Sequence, residues 1–119
     1  MNAPEWLQEF QREIEQAEAA REAGKEGMAR VCARRAASKV VGEYFQQKGI
    51  DLGKMGAYDR LQYLINQTST PPKIRRIAEH FVLHVTPERT LPIEADLIAE
   101  ARWLLTTLIR PSNPRWPGR

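Results

Sequence analysis

The chain has 119 residues, of which 42% are hydrophobic and 28% charged, with eighteen Lys and Arg against fifteen Asp and Glu for a formal charge of +3. That length suits one domain with one core, and the ordinary apolar share argues against general disorder. The small basic excess permits a phosphate-bearing partner without requiring one, and a single cysteine rules out an intrachain disulfide.

The first periodic segment runs from about Ala3 to Ala23, where Trp6, Leu7, Phe10, Ile14 and Ala17 return every three or four residues. Asn2 or Ala3 is placed to cap it, Pro4 suits the first turn, and Glu5 favours the positive helix end. Gly24 and Gly27 mark a short connection to a second helix over about Lys25 to Lys48. There Ala29, Ala33, Ala36, Ala37 and Val40 form a strip of small residues that lets a neighbour approach closely. Arg30, Arg34 and Ser38 share one row of this helix, and Arg35 and Lys39 lie on an adjoining row, so the basic residues are expected on one side.

Ile50 to Gly56 reads as a loop and Tyr58, Leu61, Leu64 and Ile65 as a shorter helix, which Asn66 to Thr70 breaks. Thr70 before Pro71-Pro72 starts another, with Ile74, Ile77, Ala78, Phe81, Val82 and Val85 on its apolar face until Thr86-Pro87 stops it. Pro92 is expected to open the last helix, whose stripe includes Ile93, Leu97, Ile98, Ala101, Leu104, Leu105, Leu108 and Ile109, with Glu94 and Asp96 near its positive end. The pattern predicts an all-α, antiparallel up-and-down bundle of four to five helices over residues 1–110, followed by a Pro-rich extended tail over 111–119. No apolar run approaches the ~18 residues of a membrane span and no leader pattern opens the chain, so the expected setting is the cytoplasm, away from membrane.

The element order, and the segments Ala29-Arg30-Val31-Cys32-Ala33-Arg34-Arg35-Ala36-Ala37-Ser38-Lys39 and Ala99-Glu100-Ala101-Arg102-Trp103-Leu104-Leu105, resemble the HEPN superfamily of small helical bundles. The branch that stands beside minimal nucleotidyltransferases is the nearest in pattern, and the resemblance covers about Trp6 to Ile109. It implies a homodimer or higher homo-oligomer, with a nucleotide, RNA or nucleotidyltransferase as partner and no cofactor. Two departures stand out. Where many relatives carry an Arg-Tyr-Pro-Asp-like segment, this chain has His84-Val85-Thr86-Pro87-Glu88, which keeps the proline and the acid but lacks Arg and Tyr. Ribonuclease members carry an Arg and a His with four to six residues between them, usually with Asn, Asp or His after the Arg; Arg75-Arg76-Ile77-Ala78-Glu79-His80 matches the spacing with a second arginine in that place.

Arg75 or Arg76 with His80 is therefore the candidate catalytic group, the imidazole moving a 2′-hydroxyl proton and the guanidinium steadying the phosphorane charge. On a regular helix Arg76 and His80 share a face, whereas Arg75 and His80 diverge by about 140°. The bland alternative is a solvated helix face. Arg30, Arg34, Arg35 and Lys39 are the candidate ligand-binding group, with Tyr44 or Trp103 as stacking partners; the alternative is pairing with Glu13, Glu15, Glu18 or Glu22. His80 and His84 have metal-ligand spacing but no third ligand, so no metal site is expected. Cys32 reads as a small core residue, and Gly24-Lys25-Glu26-Gly27 as a helix junction, too short for a phosphate loop.

The function these features favour is a non-catalytic HEPN-like interaction or nucleotide-binding module acting as a homodimer. A metal-independent endoribonuclease and a basic RNA-binding protein without catalysis are the alternatives.

Overall fold

The computed structural model describes residues 3–83 and 95–109. Its regular structure is the all-α bundle expected: α1 (Glu5–Glu22), α2 (Glu26–Gln47), α3 (Ala57–Asn66), α4 (Pro72–His80) and α5 (Leu97–Leu108). No helix among the described residues is long and apolar enough to cross a membrane.

α2 lies at the centre. Ala29, Ala33, Ala36, Ala37, Val40 and Val41 are each at most 1% exposed, so α1, α3 and α5 close on a helix whose inward residues are small. Contacts between α1 and α2 pair Gln16 with Cys32 and Glu9 with Lys39, which fixes the two as antiparallel. α5 pairs Asp96 with Arg21 and Arg102 with Glu18, so it too runs antiparallel to α1. Leu7, Phe10 and Ile14 from α1 and Leu97, Ile98, Ala101, Leu104 and Leu108 from α5 complete one continuous core with Leu61 and Leu64 of α3 and Ile74 and Ala78 of α4.

The helix ends follow local chemistry. α1 and α2 both finish on a glycine with positive φ, Gly24 at 76° and Gly49 at 81°, a region costly for a residue with Cβ. The amides beyond them reach back, Lys25 N–H to the Ala20 carbonyl at 2.8 Å and Ile50 N–H to the Phe45 carbonyl at 2.9 Å. α1 starts one residue later than a cap at Ala3 would place it and two later than a cap at Asn2 would: Pro4 occupies the cap position, and its carbonyl accepts from Leu7 and Gln8.

Two boundaries differ from the periodicity. α4 ends at His80 because the Phe81 and Val82 amides turn back to Ala78 and Glu79, tightening the last turn; Phe81 still enters the core, while Val85 lies outside the described residues. α5 opens at Leu97 rather than at Pro92, because the Asp96 side chain accepts from the Ala99 amide at 3.2 Å and fixes the start there. Pro92, Ile93 and Glu94, assigned to that helix from sequence, lie outside the described residues, as does the tail from 111 onward.

The Asp96 carboxyl sits below its ordinary range. Burial alone would push it up, but the Ala99 amide and the Arg21 guanidinium outweigh that. A depressed folded-state value means stability that is present above the unfolded value of about 3.9 and lost as pH falls through the folded value. Asp96→Asn keeps a capping oxygen and removes the titration, so the difference in Tm between about pH 6 and about pH 2 should be smaller in the variant than in the parent protein. An equal or larger acid loss in Asp96→Asn would contradict this assignment.

Candidate functional site

α4 begins at two prolines, needs no amide donors there, and buries Ile74 and Ala78. Its polar ridge is then set by helix geometry: Lys73, Arg76 and His80, spaced i, i+3 and i+7, share one side. Arg76 and Lys73 are exposed and His80 is partly covered by α5. There the His80 Nδ1 lies 2.9 and 3.0 Å from the two Glu100 carboxylate oxygens, with both side chains about one fifth exposed (20% and 19%). An ionised carboxylate only accepts, so this contact places a proton on Nδ1, and a neutral ring then carries its lone pair at Nε2. One turn further along α5, the Trp103 ring lies beneath the Lys73 ammonium, 5.3 Å from Nζ to the ring centroid.

Arg75 has another role. Its Nε donates to the Ile65 carbonyl at 3.0 Å and its Nη2 to the Gln67 carbonyl at 2.9 Å, while Thr70 Oγ1, in a buried residue, donates to the Leu64 carbonyl at 2.7 Å. These carbonyls lie at or just beyond the end of α3, where acceptors lack partners within the helix. Of the three residues expected as a catalytic group, Arg76 and His80 therefore share a face, and Arg75 is turned toward α3.

The basic residues of α2 do not form one strip. Arg34 and Lys39 are five positions apart, about 140° around a helix. Lys39 turns to Glu9 of α1, with 3.5 Å between Nζ and the carboxylate. Arg35 is exposed, Arg30 and Arg34 are half-buried, and Ser38 in their row is buried, its carbonyl accepting from Arg60 of α3 at 3.3 Å. The same Arg60 guanidinium donates to the Gly53 and Met55 carbonyls at 2.9 and 3.0 Å. It lies against Gly42, where any Cβ would collide with Nη1. A cleft of ≈ 220 Å³ beside it mixes both signs of charge, from Glu9, Lys39, Glu43, Asp51 and Arg60.

Cys32 is 2% exposed, with its Sγ donating weakly to Gln16 Oε1 at 3.9 Å. Burial first, and then the Glu13 carboxylate, push the thiol up from its ordinary value, the opposite of what a nucleophile requires. Among the described residues no group of three His, Cys, Asp or Glu could hold a metal ion; His84 lies outside them. Gly24 to Gly27 is the α1–α2 junction, with α2 already begun at Glu26. Tyr44, expected as a stacking group, carries Lys48 on its ring and packs edge-on to Phe45.

Sequence reasoning did not pair Glu100 with His80 or place Lys73 on the ridge. The i, i+3, i+7 spacing of α4 contained the signal for Lys73, but nothing local announces a partner twenty residues away. Compared with protein-family models, curated proteins and solved structures, the chain matches none.

The geometry separates two adjacent arginines. Arg75→Ala should lower unfolding stability by about 1.5–3 kcal/mol, the usual range for hydrogen bonds from a charged group, while Arg76→Ala on the exposed ridge should change it by no more than about 0.5 kcal/mol. Urea unfolding of the two variants side by side measures this, and equal effects would refute the division of roles.

Proposed function

We propose that the chain is a non-catalytic, HEPN-like binding module that takes a phosphate-bearing nucleotide on the α4–α5 face and works as a homodimer. The observation that carries this reading is the engagement of the Arg75 guanidinium by two backbone carbonyls, which withdraws the arginine at the family spacing from chemistry. What remains on this face is a binding set: the exposed cations Lys73 and Arg76, the half-buried His80 as a hydrogen-bonding ring, and the half-buried Trp103 of α5 as an aromatic wall beneath Lys73. The HEPN likeness is supported by element order, with an amphipathic first helix, an Ala-rich central helix and a Leu-rich last one.

A ribonuclease reading has one specific observation in its favour. Glu100 holds His80 through Nδ1, as a carboxylate orients a general base, and Arg76 stands one turn away to meet phosphate charge. In that reading Nε2 takes the 2′-hydroxyl proton as the oxygen attacks the adjacent phosphorus and the 5′-oxygen leaves. RNA binding through α2 is less favoured, since Lys39 is paired and Arg35 is separated from the Arg30–Arg34 row.

The binding reading is tested by anisotropy of a labelled single-stranded oligonucleotide over a salt series. Affinity should fall with salt, and Lys73→Ala and Arg76→Ala should each weaken binding about five- to tenfold, roughly 1–1.4 kcal/mol per cation. Intact RNA after prolonged incubation is the companion expectation; metal-independent cleavage lost in both His80→Ala and Glu100→Gln would establish the ribonuclease instead. Separately, light scattering at micromolar concentration should give the mass of two chains, and a monomer there would remove the homodimer from the reading.

A further inference from the structure

Arg60 is half-buried, and among the described residues no acid forms an ion pair with it. Its Nε and one N–H of each Nη hold the Met55, Ser38 and Gly53 carbonyls. Of the five N–H groups of a guanidinium, one on each Nη is left, and two such donors suit the two oxygens of a carboxylate. Arg60 lines the ≈ 220 Å³ cleft between α1, α2 and the loop at 51–53. Glu43 and Asp51 line the same cleft and have no basic partner among the described residues: Glu43 accepts from the Gln47 side-chain amide at 3.0 Å, and Asp51 from the Gly53 backbone amide at 2.8 Å.

We propose that this cleft binds a free α-amino acid with a short aliphatic side chain. Its carboxylate would meet the two remaining Arg60 donors, its ammonium Glu43 and Asp51, and its side chain the wall made by Trp6 and Leu52. Three observations favour this ligand. The first is charge. Once Glu9 and Lys39 cancel each other at 3.5 Å, one cation and two carboxylates line the cleft, so a phosphate dianion meets more repulsion than attraction there. A simple acid would leave Glu43 and Asp51 unanswered, a simple amine would leave Arg60 so, and a zwitterion answers both. The second is placement. Arg60 lies against Gly42 and bonds the Gly53 carbonyl, so Glu43, next to the one, and Asp51, two before the other, are close to the guanidinium without pairing with it. The third is size and polarity. At about 30 Å³ for each water's share of the liquid, the cleft has room for roughly seven waters, which fits a ligand of on the order of ten non-hydrogen atoms. Trp6 and Leu52 are partly buried against the core and give it an apolar side.

The site is distinct from the α4–α5 face and stands or falls apart from it. The bonds that hold Arg60 to three carbonyls keep the guanidinium in place before any ligand arrives, so binding does not bear the cost of ordering that long side chain.

The experiment titrates the ¹⁵N-labelled full chain with L-valine, with isovalerate, which lacks its ammonium, and with isobutylamine, which lacks its carboxylate, and follows amide shifts by NMR. Valine should give saturable shifts at Gly42 and Gly53, and each single-charge analogue should bind at least about tenfold more weakly. The analogues test the Arg60 end without altering a residue on which the fold relies. Asp51→Asn and Glu43→Gln keep the oxygens that accept from Gly53 and Gln47 and remove only charge; each should weaken valine about five- to tenfold with helix content by circular dichroism unchanged. Isovalerate binding as tightly as valine would make this an anion site, and isobutylamine doing so a cation site; either overturns the proposal. So would the absence of saturable shifts with valine, or valine affinity that neither variant alters.

Discussion

A helix enclosed by three others can sit between them only if the residues it turns inward are small, and this constraint governs α2. Ala29, Ala33, Ala36 and Ala37 are all but invisible to solvent, and α1, α3 and α5 approach the backbone over them. Interiors packed at crystal-like density leave little slack, so the position of every other helix is referred to that strip. The same constraint settles the character of Cys32. A thiol in this row is surrounded by apolar neighbours and the Glu13 carboxylate, both of which hold it protonated, and it fills space as alanine or valine would.

Around this hub the shorter helices depend on polar links between backbone and side chain. α3 and α4, with ten and nine residues, fall below the length at which a helix persists alone in water. Neither has a side-chain cap at its start. Their ends are secured instead by Arg60 on the Ser38, Gly53 and Met55 carbonyls, by Arg75 on Ile65 and Gln67, and by Thr70 on Leu64. Gly42 belongs to this arrangement, because only a residue without Cβ lets the Arg60 guanidinium lie against α2. Two of the chain's arginines are thus structural, and counting them with the surface charge overstates the basic surface open to a ligand.

How legible this was in the sequence varies with the range of the interaction. The five helices and the central role of α2 follow from apolar periodicity and from the alanine strip, both local properties of the chain. The end of α4 and the start of α5 did not follow, because an apolar stripe continues through Phe81 and Val82 and extends back to Ile93, and periodicity does not register where a turn tightens or where Asp96 takes an amide. At the candidate site, the shared face of Arg76 and His80 could be calculated from the helical repeat. The bond from His80 to Glu100 could not, since it depends on how α4 and α5 cross. Nor could the capture of Arg75, which requires knowing that the unsatisfied carbonyls after α3 lie within reach.

Arg75 and Arg76 show why residue spacing alone is a poor guide to chemistry here. They are identical in type and adjacent in sequence, yet 100° of helical rotation sends one toward the acceptors left by α3 and the other onto the ridge with Lys73 and His80. The spacing that resembles the ribonuclease pattern selects the first of them, whereas the helix surface selects the second. An arginine whose donors are taken by carbonyls at a helix end would have to leave those acceptors unsatisfied in order to meet a phosphate, a cost that a solvated arginine does not face. The distribution of charge on α4 therefore favours binding through Lys73 and Arg76, and gives His80, already held by Glu100, its clearest physical role as the link between the α4 ridge and α5.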